Sequence, residues 1–450
     1  MTSFELRKKS LILNFMKVCI IGGGYLGLTT AYELLKADKG FEVEIFEKEK
    51  FLGGLTSTFS PISGAWPLEH FYHHIFSSDT EMLELVKELG IEDKLKWYSP
   101  KMGVFAKGKI FNFATAKDAL LFSAIPLLDR IRFGLVTLYL KSRKEYAKYE
   151  KVLATEWIKK YYGKNVHRVL WEPLIRSKFS DYADKVGMAW FWGRIKQRGA
   201  SREGKFGGKE VLGYFDNSFE TFTQSLANKI EKMGGKIQLG SPIEKIVAKD
   251  GKVMGVVSHG KNIICDAIAS TIPTELLKQI IVGEALQTPD ADYIGMVCPI
   301  LVLKNSLSRI YWLNVSDADI PFGGVIEHTN LIPKENYKNK IVVYLSRYVP
   351  HNHKYLSMPE KKLLSIFYEG LKKINKDFSE AWVEKAFVVR RKFTQPIITT
   401  NYKEKIPEIK SNIEGLYLSN MAQVYPEDRG TNFAVQYGKI LAKKIFEDYN

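Results

Sequence analysis

The sequence predicts an α/β protein in which a nucleotide-binding domain of the Rossmann type is interrupted by an inserted α+β domain. Three observations support this prediction. Between residues 17 and 47, a strand, a glycine-rich turn, a helix and a second strand that ends in an acid follow one another. Helix and strand patterns of the same kind return near residues 213–285, with a strand at 267–270, and near 416–448, with a strand at 416–420 and a final helix from Thr431. The long segments between them change periodicity, which indicates separate structure inserted into the nucleotide-binding domain.

The first element is the apolar strand Val18–Ile21, which runs into a glycine-rich turn. The glycines of a G-x-G-x-x-G pattern are Gly22, Gly24 and Gly27. Gly22 permits the tight turn, Gly24 lets backbone N–H groups approach a pyrophosphate, and Gly27 lets the following helix pack close to the strands. We expect the N-terminus of that helix to face the phosphates of a bound dinucleotide.

The second strand, Phe41–Glu47, alternates between apolar and polar residues and closes the βαβ unit. Glu47 lies 20 residues after Gly27. An acid at this distance can accept hydrogen bonds from the ribose hydroxyls. It also disfavours NADP, because a carboxylate repels the 2′-phosphate of that dinucleotide.

A second glycine pair follows in the run Leu52-Gly53-Gly54-Leu55-Thr56-Ser57-Thr58. This run resembles the second glycine signature of the amine oxidase, protoporphyrinogen oxidase and phytoene desaturase superfamily. The resemblance implies that FAD is the cofactor and that the glycine pair lets the backbone approach its flavin side. Amine oxidases usually place Arg after the pair, whereas this chain has Leu55, and this difference argues against amine oxidation itself.

The resemblance also implies a discontinuous FAD-binding Rossmann-type domain with an inserted α+β substrate domain. The first part of the substrate domain is predicted to be mainly helical. The second part alternates like antiparallel strands at 299–303, 310–313 and 341–348. Residues 1–15 are expected to form an N-terminal extension without a convincing signal peptide. The expected boundaries are 16–80, 207–285 and 405–450 for the FAD-binding domain, and 81–206 and 286–404 for the substrate domain.

Later segments complete the cofactor site that the resemblance implies. Backbone at the position of Ile243 is expected to touch the adenine. Ser419-Asn420 stands where Gly-Asp is usual, so Asn420 and Asp428 are both candidates for the ribityl contact. The last helix is expected to place its positive end at the flavin pyrimidine, where it would stabilise negative charge on the reduced ring. The residues assigned to FAD are Gly22, Gly24, Tyr25, Leu26, Gly27, Glu47, Lys48, Gly53, Gly54, Leu55, Thr56, Ile243, Asn420, Asp428, Gly430, Thr431 and Asn432.

No Ser-His-Asp order, H-E-x-x-H helix or paired-carboxylate spacing stands out, so we expect the flavin to carry the chemistry. Four runs look like a bacterial and archaeal subfamily of protoporphyrinogen-oxidase-like proteins: 171–179, 193–198, 212–215 and 425–432. This resemblance implies a flavin-dependent oxidoreductase that removes hydride from a hydrophobic or anionic small molecule. A superfamily fold does not determine the substrate.

Two histidines and an arginine are the catalytic candidates. His73 and His74 lie in a segment that loosely resembles the part of UDP-galactopyranose mutases in which a histidine lies beside the flavin ring. The alternative prediction is therefore a redox-neutral flavoenzyme of that kind, acting on a nucleotide sugar or a lipid-linked sugar. Simple bonding of both histidines to loop backbone is the other interpretation.

Arg198, the third candidate, belongs to a basic set with Arg176, Lys178, Arg194 and Arg202. In one interpretation this set binds a phosphate or a carboxylate, for which the planar guanidinium is well shaped. In the other, its members form salt bridges on a helix surface.

The net charge of +16 raises the question of an anionic partner. The lysines are spread over helical surfaces without a recognisable nucleic-acid-binding fold, so we expect no nucleic acid partner. The apolar stretch 119–128 and the amphipathic stretch 131–140 are flanked by Arg and Lys. Two interpretations stay open: this pair of segments lies on an anionic bilayer, or it covers the substrate cavity.

The three cysteines, Cys19, Cys265 and Cys298, lie in apolar runs and have no metal-binding spacing. They predict buried thiols, a reducing compartment and no metal site. No run of about 18 uncharged apolar residues occurs, so no transmembrane span is predicted. The expected location is the cytoplasm, with peripheral membrane contact under the first of the two interpretations above. The oligomeric state is not predicted.

Overall fold

The computed structural model describes residues 15–37, 40–201 and 210–449. Arg202 and most of the N-terminal extension predicted at 1–15 lie outside the described residues. The α-helices, in chain order, are α1 Tyr25–Lys36, α2 Thr80–Glu88, α3 Ala116–Leu121, α4 Leu127–Ser142, α5 Ala154–Tyr161, α6 Lys164–Val166, α7 Glu172–Phe179, α8 Met188–Ala200, α9 Glu220–Lys232, α10 Thr274–Ile280, α11 Glu360–Ile374 and α12 Thr431–Asp448. The strands are β1 Met16–Ile21, β2 Phe41–Phe46, β3 Thr58–Phe59, β4 Leu68–Glu69, β5 Ile75–Phe76, β6 Leu95–Tyr98, β7 Met102–Ala106, β8 Lys109–Asn112, β9 Leu212–Phe215, β10 Lys236–Gln238, β11 Ile243–Lys249, β12 Lys252–Ser258, β13 Lys261–Ile264, β14 Ala267–Ser270, β15 Ile281–Val282, β16 Tyr293–Leu303, β17 Trp312–Val315, β18 Gly324–Glu327, β19 Ile341–Val349, β20 Val383–Pro396 and β21 Leu416–Leu418.

A five-stranded sheet carries the nucleotide-binding part of the molecule. Its order is β10-β2-β1-β14-β21, and every neighbouring pair in it is parallel. The strand predicted at residues 267–270 is confirmed, and those predicted at 41–47 and 416–420 end one and two residues earlier than expected. β14 and β21 are buried along their whole length, as expected of parallel strands that are covered on both faces.

Both faces of this sheet are covered. On one face α1 packs against α9 and α12, and Leu28, Leu226 and Leu441 share a core with β1. On the other face lies a four-stranded sheet of order β13-β12-β11-β15, in which Ile246 packs into a core with Ile268 of β14. The three cysteines are free and buried, as predicted.

A seven-stranded sheet of order β20-β16-β19-β18-β17-β7-β8 forms a wall of the second part of the molecule. All its neighbouring pairs are antiparallel except β17 and β7. The strand predicted at 310–313 begins two residues later, at Trp312. The reason is that side chains form the hydrogen bonds of the Ile310 backbone, so these groups are not free to pair with a neighbouring strand. Asn330 Nδ2 donates to the Ile310 oxygen at 3.0 Å, and the Ile310 nitrogen donates to Ser308 Oγ at 3.1 Å.

Helices α3 to α8 form a layer around a largely aromatic core that includes Trp157, Trp190 and Phe191. The segment predicted to be mainly helical also contains β6, β7 and β8. The β7–β8 hairpin turns at Lys107 and Gly108, which have φ angles of 53° and 70°. Two positive φ angles suit a tight hairpin turn, but the usual Asn-Gly signal is missing from the sequence. No helix in the described ranges combines the length and the apolar character that crossing a bilayer requires.

Candidate active site

A large cleft lies between α7, α8, the seven-stranded sheet and the N-terminus of α12. Its volume is about 1300 Å³, counted with its mouth. Leu55 from the second glycine run and residues 71–74 from the histidine segment reach the cleft from the side of the nucleotide-binding sheet. The two parts of the molecule therefore meet at this cleft.

The first glycine turn has the geometry that a pyrophosphate requires. Gly22 has a φ of +111°, and a Cβ on Gly27 would lie 2.0 Å from the Gly22 oxygen, so α1 can follow the turn only without a side chain there. Gly24 is the N-cap of α1, and no side chain caps this helix end. A Cβ on Gly24 would meet only Gly54 Cα, at 3.9 Å. The helix N-terminus thus has open space beside it, which fits a dinucleotide.

The second glycine pair lies directly against the first turn. Gly53 N donates to Gly23 O at 2.9 Å, and Gly24 and Gly53 form an isolated parallel bridge. Thr56 Oγ1 donates to Gly53 O at 2.6 Å and so fixes the end of the run. These contacts place Leu55 at the cleft while the pair remains joined to the phosphate-binding turn. A cofactor that spans both glycine runs fits this arrangement.

Glu47 lies at the end of β2, beside the first turn, and is buried. Its carboxylate accepts hydrogen bonds from Gly23 N at 2.7 Å and from Glu49 N at 2.8 Å. Lys48 follows Glu47 in the chain. Ser241 N donates to Glu47 O at 2.8 Å, and Ile243 begins β11 two residues later, so the start of β11 lies close to Glu47. Tyr25 and Leu26 are buried in α1, where the Tyr25 hydroxyl bonds Thr223 Oγ1 at 3.1 Å.

The two candidates for the ribityl contact lie in different surroundings. The side-chain amide of Asn420 forms hydrogen bonds within the protein. Its oxygen accepts from Ala422 N and from the Tyr293 hydroxyl, both at 3.0 Å. Asp428 instead lines the cleft with Gly430, Thr431 and Asn432 at the start of α12. A Cβ on Gly430 would meet nothing within 4 Å, so the N-terminus of this long helix opens on the cleft.

Asp428 is the centre of a buried ion-pair cluster. Its carboxylate forms ion pairs with Lys178 and, at 2.9 Å, with Arg194, and it accepts a hydrogen bond from Trp190 Nε1 at 3.4 Å. Burial raises the pKa of the Asp428 carboxyl, but the charges of Lys178, Arg194 and Arg429 together outweigh burial and lower the pKa to about 2. Burial lowers the pKa of Lys178, and the attraction of Asp428 opposes that change. Gly193 lets α8 lie close to the backbone of Pro426, because a Cβ on Gly193 would lie 2.4 Å from Pro426 O.

His73 and His74 both line the cleft. His73 Nδ1 lies 2.7 Å from the Phe71 carbonyl oxygen, so Nδ1 carries the proton and Nε2 is left as an acceptor. Burial lowers the pKa of His73 to about 4. Burial, together with the Arg198 charge, lowers the pKa of His74 to about 3. Both imidazoles are therefore neutral at neutral pH.

The structure separates the basic set into two groups. Lys178, Arg194 and Arg198 line the cleft, and Arg198 pairs with Glu210 at 2.5 Å. Arg176 does not line it: its side chain is 44% exposed and lies 3.4 Å from Glu172 on the same helix. The first group therefore lies where the anion-binding interpretation requires it, but each of its members also forms an ion pair with a protein carboxylate. Arg176 fits the surface interpretation.

Sequence reasoning missed two charged residues of the cleft. Arg429 donates to the Tyr348 hydroxyl at 3.2 Å, its Nε is buried without a hydrogen-bond partner, and no carboxylate of the described ranges forms an ion pair with it. Asp79 accepts from Phe76 N at 2.9 Å, and burial raises its pKa to about 7. Arg429 stood within the run at 425–432 that carried the resemblance, whereas no local pattern marks Asp79.

Comparison with known proteins identifies the family. The sequence profile of the flavin-containing amine oxidoreductases matches residues 27–426. This chain belongs to that family. It is an FAD-dependent oxidoreductase, and the glycine runs and the two open helix N-termini described above fit FAD. No group of three metal-ligating side chains occurs among the described residues of this family member.

Two curated relatives of this flavoprotein are 15-cis-phytoene desaturases. The one from Synechococcus elongatus is 24% identical over 293 aligned residues, which cover 59% of this chain and 60% of that relative. The chloroplastic/chromoplastic protein from Narcissus pseudonarcissus is 23% identical over 472 aligned positions, which cover 96% of this chain and 80% of that relative.

Solved structures share the fold over nearly the whole chain. A provisionally assigned protoporphyrinogen oxidase from Exiguobacterium sp. 255-15 has a TM-score of 0.77 at 15% identity, with 96% of this chain and 99% of that chain covered. A reduced UDP-galactopyranose mutase has a TM-score of 0.72 at 14% identity, with 96% of both chains covered. At these identities the likeness establishes the fold, which is that of FAD-binding amine oxidases.

Proposed function

We propose that this oxidoreductase removes hydride from a C–H bond of an anionic, largely apolar small molecule. The observation that carries the proposal is the composition of the cleft. Aromatic side chains, among them Tyr72, Trp190, Trp312 and Tyr348, share its lining with an excess of positive charge. The charged lining residues are Lys178, Arg194, Arg198, Arg429, Asp79 and Asp428, which are four cations and two carboxyls.

Each group has a role in such a reaction. Bound FAD supplies the hydride acceptor. The aromatic walls hold the apolar part of the substrate and exclude water, which strengthens every charge interaction inside the cleft. Arg429 receives the anionic group through its planar guanidinium, because no protein carboxylate in the described ranges pairs with it.

The proton that accompanies the hydride needs an acceptor. His73 Nε2 meets this need, because the Nδ1 contact with Phe71 O leaves Nε2 unprotonated and the low pKa keeps the ring neutral. His74 is also neutral, so it adds no positive charge beside His73. His73 therefore supplies a proton acceptor within the cleft itself.

Replacing Arg429 with Met is expected to lower kcat/KM for the anionic substrate by about 10-fold to 100-fold, chiefly through KM. A hydrogen bond to a charged group contributes about 1.5–3 kcal/mol, which corresponds to this range. Steady-state kinetics of the FAD-loaded variant measure the effect. Arg176→Met is the matched control, because Arg176 lies outside the cleft and its side chain is 44% exposed. Equal effects of the two variants would contradict a substrate contact at Arg429.

Replacing His73 with Gln is expected to lower kcat by about 100-fold or more, since a positioned base contributes about that factor. With a His73 pKa of about 4, the wild-type kcat/KM should be flat across neutral pH and fall only as the pH approaches 4. A pH profile of both proteins tests this. An inflection near pH 7 that His73→Gln removes would overturn it, whereas one that Asp79→Asn removes would belong to the Asp79 carboxyl.

A second candidate function is redox-neutral isomerisation of a nucleotide sugar or a lipid-linked sugar. It is favoured by the histidines at the cleft, by the cations that could receive a diphosphate, and by the shared fold with a UDP-galactopyranose mutase. In this reaction the flavin must be reduced but is not consumed.

Anaerobic titration separates the two functions. The purified holoenzyme is mixed without oxygen with porphyrinogens, which carry carboxylates, with uncharged polyprenoids, or with nucleotide sugars, and the oxidised-flavin absorbance is followed. We expect bleaching by the carboxylated class. Bleaching by polyprenoids alone would remove the anionic part of the proposal. No bleaching, with turnover of a nucleotide sugar by the dithionite-reduced enzyme, would replace the oxidase by the isomerase.

A further inference from the structure

The surface of α3 and α4 exposes an unusual number of large apolar side chains. Leu128 is 79% exposed, and Leu121, Leu135 and Leu138 are each 64% exposed. Monomeric soluble proteins rarely leave such side chains in a contiguous patch, so a patch of this kind marks an interaction site. We define the α3–α4 face as the exposed side chains Leu120, Leu121, Leu127, Leu128, Ile131, Leu135, Leu138 and Tyr139.

The face is not part of the core of the helical layer. Along α4, the exposed residues Leu128, Ile131, Leu135 and Leu138 recur every three or four positions and so form one stripe. Another side of the same helix makes the core contacts, since Leu140 is fully buried there and Phe133 and Val136 pack against the same cluster. The packing of α4 against the core therefore does not use the side chains of the outer stripe.

Basic side chains lie beside the face at Tyr139, and others follow it in the chain. The Arg143 guanidinium lies 4.6 Å from the Tyr139 ring centroid, and Lys148 Nζ lies 5.7 Å from it. Arg143, Lys144, Lys148, Lys159 and Lys160 are exposed. Residues 127–164 contain ten Lys and Arg against four Asp and Glu. An apolar stripe with a basic rim matches the two layers of an anionic membrane surface, its acyl region and its headgroups.

We propose that the α3–α4 face docks on an anionic lipid bilayer, with the leucines in the acyl boundary and the basic rim at the headgroups. Of the two interpretations that the sequence left open, the proposal adopts the bilayer. The docking does not depend on the proposed function, because it uses none of the residues of the cleft.

The position of the face also bears on substrate supply. An apolar crevice is lined by Phe133 of α4 together with Phe113 and Trp171, and it shares Leu174, Asn314 and Gly323 with the lining of the active-site cleft. The crevice therefore adjoins both the docking helix and the cleft. For the proposed function, α4 would then lie between the bilayer and the crevice that adjoins the cleft.

Vesicle flotation of the holoenzyme tests the docking. We expect the wild-type protein to float with vesicles of phosphatidylglycerol and phosphatidylcholine. Flotation should fall at least about tenfold with pure phosphatidylcholine, and also in about 1 M salt, where the Debye length is about 3 Å. Absence of flotation with the anionic vesicles would overturn the proposal. Equal flotation with both vesicle types would overturn its electrostatic part.

Variants locate the docking surface. The triple change Leu128→Ser, Leu135→Ser and Leu138→Ser should abolish flotation and leave the flavin absorbance and the melting temperature unchanged. The matched control changes three exposed apolar residues elsewhere, Leu239→Ser, Met254→Ser and Ile264→Ser, and should float like the wild type. Unchanged flotation of the first triple variant would overturn the assignment of the face. Sedimentation velocity tests whether a second copy of the chain covers the face instead. If the wild type is a dimer that does not bind vesicles, and only the first triple variant dissociates it, the face is a contact between two copies.

Discussion

Replacing Gly27 with Ala is expected to abolish FAD binding. The new Cβ would lie 2.0 Å from the Gly22 oxygen and 3.2 Å from the Gly22 carbonyl carbon. Both atoms are backbone, so no side chain can move aside, and either the turn or the start of α1 must shift. The N–H groups at that helix end would then leave the place where they meet a pyrophosphate. The ratio of flavin to protein absorbance after purification measures the loss.

Gly134→Ala is the matched control for this change. A Cβ on Gly134 would meet nothing within 4 Å, and the residue lies inside α4. Ala is favoured over Gly in a helix interior by about 1 kcal/mol, so this variant should bind FAD fully and be slightly more stable. A Gly27→Ala protein that retains a full complement of flavin would show that the turn tolerates the displacement.

Replacing Asp428 with Asn is expected to lower the free energy of unfolding by about 3 kcal/mol, because it leaves two largely buried cations without their carboxylate. The Lys178 and Arg194 side chains are 18% and 22% exposed, and Asp428 is 2% exposed. Urea denaturation measures the change. Asp290→Asn is the control: Asp290 pairs with Lys278 at 2.6 Å but is 69% exposed, so its loss should change stability by less than about 1 kcal/mol. Similar losses in both variants would contradict a stabilising role for the buried cluster.

The same carboxyl gives a pH dependence of known sign. The pKa of Asp428 is lowered to about 2 in the folded protein, against about 3.9 in an unfolded chain. Its contribution to stability is therefore present above about pH 4 and is lost as the pH falls towards 2. The difference in unfolding free energy between the wild type and Asp428→Asn should shrink over this interval. A difference that stays constant would show that Asp428 does not titrate with folding.

The parts of the fold that depend on neighbours in the chain could be predicted from the sequence. The glycine spacing from Gly22 to Gly27, the strand at 267–270 and the helix that starts at Thr431 each depend on local patterns of glycine and apolar residues. The β7–β8 hairpin was missed because Lys107 and Gly108 adopt a turn that a Lys rarely occupies. The strand near Ile310 was placed too early because the side chains of Ser308 and Asn330 form hydrogen bonds with the backbone of Ile310.

The site could be predicted only where a motif names it. The sequence left Asn420 and Asp428 as equal candidates for one contact. Their surroundings differ through residues far away in the chain, since Lys178 lies 250 positions from Asp428 and Tyr293 lies 127 positions from Asn420. Arg429 likewise has a distant partner, since it donates to the hydroxyl of Tyr348, 81 positions away. Periodicity carries no information about such distant pairs.

The parallel sheet has a consequence for the order in which the protein is made. Val18 of β1 pairs with Ala267 of β14, and Ile268 of β14 pairs with Leu416 of β21. During synthesis β1 and β2 therefore leave the ribosome long before the strands that complete their sheet. Folding that waits for such distant partners is slow, and a ligand that binds only the folded chain draws the equilibrium towards it. In a cell the supply of flavin should thus set how much of the newly made chain reaches and keeps its native form.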